Sequence, residues 1–232
     1  MIARMNIREE RGTTLVEMLV GLTAGMVVLM TLTTVIIVTL HGSARVSARV
    51  EATQRARLVT TQIMEELHSA CVAPQIAPIQ ETSTGTSLVF LHATGTQSAA
   101  VAPQPTKTMI SLENGILTQT DTATIGGASP NWIFATSSTT RQLLTKVGPI
   151  SPSTSIFKYY KYSNGSLVEI PATTAIGKEA AGLAIQVKVA LTANPTRTPV
   201  ADAGADTAIQ DRAVLRLTPP SFNEGASALP CQ

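Results

Sequence analysis

The strongest constraint on this chain is a run of 23 residues without a charged side chain, Met18–Leu40, which directly follows Glu17. A helix that rises about 1.5 Å per residue would make this run roughly 34 Å long, enough to cross a hydrocarbon core of about 30 Å. We therefore expect a membrane-spanning helix near the N-terminus. An unpaired carboxylate costs about 2.5 to 3.5 kcal/mol at mid-membrane and less near an interface. The position of Glu17 thus predicts a partner for its charge.

Four segments follow from the pattern of charge and apolar residues. Residues 1–12 form a charged leader similar to the start of an export signal, and residues 13–40 form the apolar helix. Residues 41–73 are expected to continue as an amphipathic helix, since no proline precedes Pro74 and apolar residues recur three or four apart. This stripe, expected to pack on the sheet that follows, comprises Ala52, Ala56, Val59, Ile63, Leu67 and Ala70.

Residues 74–232 change to a two-residue period, which predicts strands with one buried face. Ile185–Leu191 alternates in this way, and Arg212–Leu217 does so near the C-terminus. The predicted fold class is therefore α+β, a long N-terminal helix packed on an antiparallel, β-rich head. Further strands are predicted at Thr86–His92, Met109–Glu113, Ile116–Thr120, Trp132–Ala135, Arg141–Val147, Ile156–Tyr162 and Ser166–Ile170, and loops at Ala99–Thr106, Thr192–Ala208 and Pro219–Gln232.

Two Asn-Gly pairs predict tight hairpins within the head. They are Asn114-Gly115 and Asn164-Gly165, each between two strand-like segments. Both central residues of a type I′ turn need a positive φ angle, which Asn and Gly tolerate better than other residues.

The N-terminal segment carries a recognisable motif. From Arg11 to Leu22 the chain reads RGTTLVEMLVGL, which resembles the cleavage and methylation motif of type IV prepilins. In that family a membrane peptidase cuts after the glycine that corresponds to Gly12 and methylates the new amine, here that of Thr13. Thr13 departs from the pattern, because most members have phenylalanine there.

Two other classes of N-terminal segment fit less well. A cleaved secretory signal would end near the small residues Gly42-Ser43-Ala44, but the apolar run is longer than the usual 7 to 15 residues. An ordinary single-span anchor leaves Glu17 without an explanation.

Cleavage after Gly12 would supply a charge partner for Glu17. The new α-amine of Thr13 is largely cationic at neutral pH, whereas the amide of an uncut chain is not. Pairing with a cation offsets much of the desolvation of a carboxylate. Four helical residues separate Thr13 and Glu17 by about 6 Å along the axis, so the amine of an adjacent subunit fits better than the chain's own. Resemblance to pilins implies this arrangement, with Glu17 as an assembly residue.

The resemblance extends more faintly into the head, whose hairpins and late strands are similar to PilW-type minor pilins and to the J-type pseudopilins of type II secretion. It implies a single-pass protein of the inner membrane with a cytoplasmic N-terminus before processing and an extracytoplasmic head. The implied partners are other pilins or pseudopilins, the prepilin peptidase, an inner-membrane assembly platform and membrane lipid. The alternative is a membrane-tethered extracytoplasmic module that binds a ligand and does not polymerise.

The two cysteines, Cys71 and Cys231, are about 160 residues apart. A disulfide between them is expected if most of the chain lies outside the cytoplasm, and two free thiols are the alternative. Closing so large a loop stabilises a fold by up to about 5 kcal/mol in the loop-entropy model.

No catalytic, cofactor or metal site is predicted. His41, His68 and His92 are isolated in the sequence, and no His/Cys cluster, Gly-x-Ser-x-Gly motif or phosphate loop occurs. The acidic residues Asp202, Asp206 and Asp211 are interpreted as an exposed turn rather than a calcium site. Tyr159, Tyr160 and Lys161 are interpreted as residues of a strand with one solvent-exposed face, and an aromatic and basic contact for DNA is the alternative. A net charge of +2 makes no strong case for nucleic acid.

Overall fold

The computed structural model describes residues 14–71, 76–93, 104–128, 130–194 and 207–215. The chain forms two compact units, Met1–Ser47 and Ala48–Gln232. The long helix α1 extends over Leu15–His68 and contributes to both units. The predicted α+β class is confirmed, since an apolar N-terminal helix precedes an antiparallel, β-rich head.

The second part of α1 buries one face within the second unit. Ala52, Ala56, Ile63 and Leu67 of the predicted stripe are buried, and Val59 is partly buried. The buried face also includes Thr60 and Met64. Thr60 tolerates burial because its hydroxyl donates to the carbonyl of Ala56 at 2.9 Å.

The described residues of the second unit form two sheets, one small hairpin and a short helix in addition to the end of α1. In chain order the described elements after α1 are β1 (Ser87–Ala93), β2 (Pro105–Glu113), β3 (Ile116–Thr122), β4 (Thr124–Ala128), β5 (Asn131–Phe134), β6 (Thr139–Thr145), β7 (Val147–Pro149), β8 (Phe157–Ser163), β9 (Ser166–Ile170), α2 (Gly177–Leu183), β10 (Gln186–Ala193) and β11 (Thr207–Val214). The first sheet has the order β1-β2-β3-β6, and the second has the order β11-β10-β8-β9 with β7 also on β10. All these pairings are antiparallel, as is the β4–β5 hairpin.

One hydrophobic core joins α1 to both sheets. Its fully buried members include Ile63 of α1, Phe90 and Ile110 of the first sheet, and Tyr159 and Val189 of the second. The hydroxyl of Tyr159 donates to the carbonyls of Thr84 (2.9 Å) and Ser87 (3.2 Å), so this buried polar atom is satisfied. Burial raises the pKa of Tyr159.

Both predicted hairpins are confirmed. The φ angles are 50° at Asn114 and 75° at Gly115, and 50° at Asn164 and 76° at Gly165. Each pair connects strands through a two-residue loop, β2 to β3 and β8 to β9.

The predicted strand Arg141–Val147 is wrong in one respect, because it is divided between the two sheets. Lys146 has a φ angle of 54°, which ends β6 in the first sheet, and β7 then joins the second. Val147 donates to the carbonyl of Gly115 at 2.9 Å, and Lys146 accepts from Asn194 at 3.0 Å. A left-handed backbone at a lysine is uncommon and leaves no signal in the alternation of the sequence.

The last described strand begins earlier than predicted. The prediction Arg212–Leu217 follows from the alternation of apolar residues, whereas β11 pairs with β10 from Thr207 to Val214. The ends of the predicted loop Thr192–Ala208 accordingly belong to β10 and β11. Residues 195–206, like 99–103 and the predicted loop Pro219–Gln232, lie outside the described residues.

Candidate functional site

Glu17 lies in the first turn of α1 and is exposed. Its backbone N–H donates to Oγ1 of Thr14 at 3.3 Å, so Thr14 caps the helix. A carboxylate in the first turn is also stabilised by the positive end of the helix dipole. The Thr14-x-x-Glu17 spacing matches a capping box. Glu17 thus also has a local role at the start of the helix, which the sequence analysis does not predict.

The described part of the first unit presents a predominantly apolar surface. Every residue from Thr14 to Ser47 is exposed, and the large apolar side chains of 15–40 expose between 48% and 81% of their area. Among the described residues, α1 is the one helix long and apolar enough to cross a membrane. Covering apolar surface is favourable by about 25 cal/mol per Å², so this surface suits lipid or the apolar faces of other helices.

The polar side chains within the apolar run are satisfied inside the helix. Five threonine hydroxyls donate to carbonyls three or four residues earlier at 2.7 to 3.0 Å; they belong to Thr23, Thr31, Thr33, Thr34 and Thr39. Such hydroxyls need no external partner in lipid. Glu17 is the only acidic or basic side chain besides His41 in residues 14–44, and no described residue forms an ion pair with it. Among the described residues before His41, Glu17 therefore carries the one side-chain charge.

The residues predicted for processing, Gly12 and Thr13, lie outside the described residues. The same holds for the amine that is expected to pair with Glu17.

Cys71 lies three residues after α1 ends and is fully buried and disulfide-bonded. Its N–H donates to the carbonyl of Leu91 at 2.8 Å. With Ile76 and Leu91 it forms a small second cluster beside the main core. The second cysteine of the sequence, Cys231, lies outside the described residues.

A polar network in the head gathers side chains that are distant in the sequence. Nε2 of Gln119, a residue 2% exposed, donates to the carboxylates of Glu66 and Asp121 at 3.0 to 3.2 Å. Arg141 donates to Oε1 of Gln119 at 2.8 Å and forms an ion pair with Glu66 at 3.1 Å. These residues, with His92, line a cleft of about 530 Å³.

His92, although isolated in the sequence, belongs to this network in the fold. Its Nε2 is 3.0 Å from the hydroxyl of Thr108, which donates to Asp121 at 2.6 Å. Its Nδ1 is 3.4 Å from the hydroxyl of Ser69. Burial lowers the pKa of His92, and the nearby carboxylates of Glu66 and Asp121 act in the opposite direction. These contacts depend on the packing of α1, β1, β2 and β3, which the sequence pattern does not specify.

The buried imidazole predicts a pH dependence of stability. Because the folded chain holds the pKa of His92 below the ordinary 6.5, the unfolded chain takes up this proton first as the pH falls. The free energy of unfolding should therefore decrease as the pH falls through about 6.5, and this component should be absent from His92→Gln. Denaturant titrations of the full chain in detergent between pH 5.5 and 8 measure it. His68→Gln, at an exposed position, is the control that keeps the slope; equal slopes in both variants would contradict the assignment.

The remaining sequence-based candidates do not form a site with these residues. Tyr159 is in the core, and Asp211 is exposed on β11, whereas Asp202 and Asp206 lie outside the described residues. Within the described parts of the chain, no group of three or more His, Cys, Asp or Glu side chains could hold a metal ion.

In comparisons with known proteins, no protein-family model and no curated protein matches the sequence.

Proposed function

We propose that the chain is a structural subunit, a minor pilin or pseudopilin, of a type IV pilus or a related secretion or competence filament. The observation that carries the proposal is the exposed apolar helix that begins with a single carboxylate. Lipid covers such a surface before assembly and neighbouring subunits cover it afterwards, and in both settings Glu17 requires a cation.

Processing supplies that cation in this proposal. A prepilin peptidase cuts after Gly12 and methylates Thr13, and the new amine of one subunit pairs with Glu17 of its neighbour. The chain is then a single-pass inner-membrane protein with an extracytoplasmic head until an assembly platform moves it into the filament. The subunit has no catalytic role of its own.

A second candidate function is a membrane-tethered module that binds a ligand and does not polymerise. The polar cleft lined by Glu66, His92, Gln119, Asp121 and Arg141 supports this candidate. It needs the apolar helix only as an anchor and gives Glu17 no role beyond the helix cap.

The mass of the mature chain tests the processing step. In cells that contain the peptidase we expect the protein to begin at Thr13, and in cells without it at Met1. Gly12→Val should leave the chain uncut, because the residue before the cleaved bond is then bulky and β-branched. The matched change Gly42→Val, which alters the alternative secretory cleavage site, should have no effect. A mature chain that begins at Met1 or Arg45 in peptidase-containing cells would contradict the proposal.

A further inference from the structure

The outer face of the second sheet carries an alignment of cations that the sequence does not reveal. Register pairs Arg212 of β11 with Lys188 of β10, and Lys188 with Lys158 of β8. Directly paired residues point to the same face of a sheet, and neighbouring strands are about 4.8 Å apart. The three cationic side chains therefore form one row, about 10 Å long, across three adjacent strands.

Two tyrosines lie beside this row on the same face. Tyr160 and Tyr162 follow Lys158 at alternate positions of β8, so their side chains share its face at intervals of about 6.8 Å. Tyr162 is 60% exposed and Tyr160 is partly exposed. The adjacent row of paired residues on this face, two positions further along each strand, consists of Val214, the buried Gln186, Tyr160 and Glu169. The opposite face of these strands is the core, with Phe157, Tyr159, Val187, Val189 and Ala213 all fully buried.

The charge of this face is positive although the head as a whole is nearly balanced. Lys158 forms an ion pair with Glu169 at 3.1 Å, whereas no described residue forms an ion pair or a side-chain hydrogen bond with the amine of Lys188 or the guanidinium of Arg212. Residues 75–232 contain 10 Lys and Arg against 9 Asp and Glu. The excess of cations on this face is thus a product of strand register rather than of composition.

We propose that this face, defined by Lys158, Tyr160, Tyr162, Lys188 and Arg212, binds single-stranded nucleic acid. Cations that neutralise phosphates, beside aromatic side chains on which bases stack, are the two elements of sequence-tolerant single-strand binding. Aromatic residues at alternate positions of a strand stack successive bases in sheet-surface binders. A duplex keeps its bases stacked inside and offers the tyrosines nothing to stack on. The inference concerns the head and does not depend on polymerisation.

Fluorescence anisotropy with a labelled 20-nucleotide oligo-dT tests the proposal, using the full chain in a nonionic detergent. Base–aromatic stacking contributes about 1 to 3 kcal/mol per base, so Tyr162→Ala should weaken binding about 5- to 150-fold. Tyr162→Phe keeps the ring and should bind as the unmodified chain does. The Glu17→Ala variant should also bind normally. Nucleic-acid binding by the head and assembly into filaments can therefore be tested independently.

The salt dependence tests the row of cations. Each neutralised phosphate of a single strand contributes about −0.7 to the slope of log K against log salt, so three cations predict a slope near −2. The double variant Lys188→Ala/Arg212→Ala should reduce this slope by about 1.4. The control Arg57→Ala/Lys107→Ala removes the same charge elsewhere and should leave the slope unchanged.

Three outcomes would overturn the proposal. The first is no binding of oligo-dT at 50 mM salt. The second is equal affinity for a 20-base-pair duplex or for heparin, which would indicate general attraction to polyanions. The third is that Tyr162→Ala binds as well as the unmodified chain.

Discussion

Glu17→Ala is expected to reduce incorporation of the chain into filaments at least tenfold, while the chain still folds and inserts into the membrane. The reason is electrostatic. In the filament the amine of a neighbouring subunit would lie in an apolar environment without its counter-ion, and removing one partner of a buried pair costs about 3 to 5 kcal/mol. The measurement is the amount of the subunit in sheared filaments relative to the amount in the membrane fraction.

The helix cap offers a competing explanation for any effect at Glu17, and two variants distinguish it. Glu17→Gln loses the charge but retains the capacity to complete a capping box, whereas Thr14→Ala removes the cap that the structure shows and keeps the charge. If the ion pair matters, Glu17→Gln fails to assemble and Thr14→Ala assembles. If only the cap matters, Thr14→Ala is the variant that assembles less well and Glu17→Gln assembles. A lost helix cap costs about 1 kcal/mol, whereas loss of the charge would then have no effect.

The control for these variants lies on the same helix. Glu65 is an exposed acidic residue of α1 in the second unit, and Glu65→Ala should assemble normally. Normal assembly of Glu17→Ala would refute the ion-pair role of Glu17, whereas absence of the unmodified chain from sheared filaments would refute the filament proposal and favour the tethered binding module.

Local chemistry explains which parts of the fold could be predicted from the sequence. The two Asn-Gly hairpins depend on backbone angles that few other residues adopt, and the buried stripe of α1 follows from a helical period. The turn at Lys146 cannot be predicted from the sequence, because nothing in a lysine signals a positive φ angle. The sequence predicts β5 of the β4–β5 hairpin but not β4, since the Gly126-Gly127 pair weakens the strand signal of β4.

Among the candidate sites, too, some residues can be recognised from the sequence and others only from the fold. Glu17 stands out in the sequence because its neighbours are uncharged over 23 residues. His92 could not be assigned, because its partners Ser69, Thr108 and Asp121 come together only when α1, β1, β2 and β3 pack. The row of Arg212, Lys188 and Lys158 likewise needs the register of three strands. Tyr159, Tyr160 and Lys161 are consecutive, yet only Tyr160 of the three faces outward beside these cations.

Reduction of the disulfide at Cys71 is the second large effect that we expect. The sequence predicts Cys231 as its partner, and a loop of about 160 residues corresponds to a loss of up to about 5 kcal/mol on reduction. For a chain of this size each kcal/mol lowers the melting temperature by about 2 to 4 °C, so a decrease of about 10 to 20 °C is expected. The measurement is thermal unfolding of the full chain in detergent, with and without a phosphine reductant.

The double variant Cys71→Ser/Cys231→Ser is the control for this experiment, because its melting temperature should not respond to the reductant. Alkylation in 6 M guanidinium without reductant identifies the bond itself, since unfolding exposes any thiol that burial would otherwise protect. Neither cysteine should be labelled until reductant is added, and a peptide map should then link the segment that contains Cys71 to the C-terminal segment. Labelling of both cysteines before reduction would contradict the pairing, and the end of α1 would then be held by non-covalent contacts such as the Cys71–Leu91 hydrogen bond and the packing of Cys71 on Ile76 and Leu91.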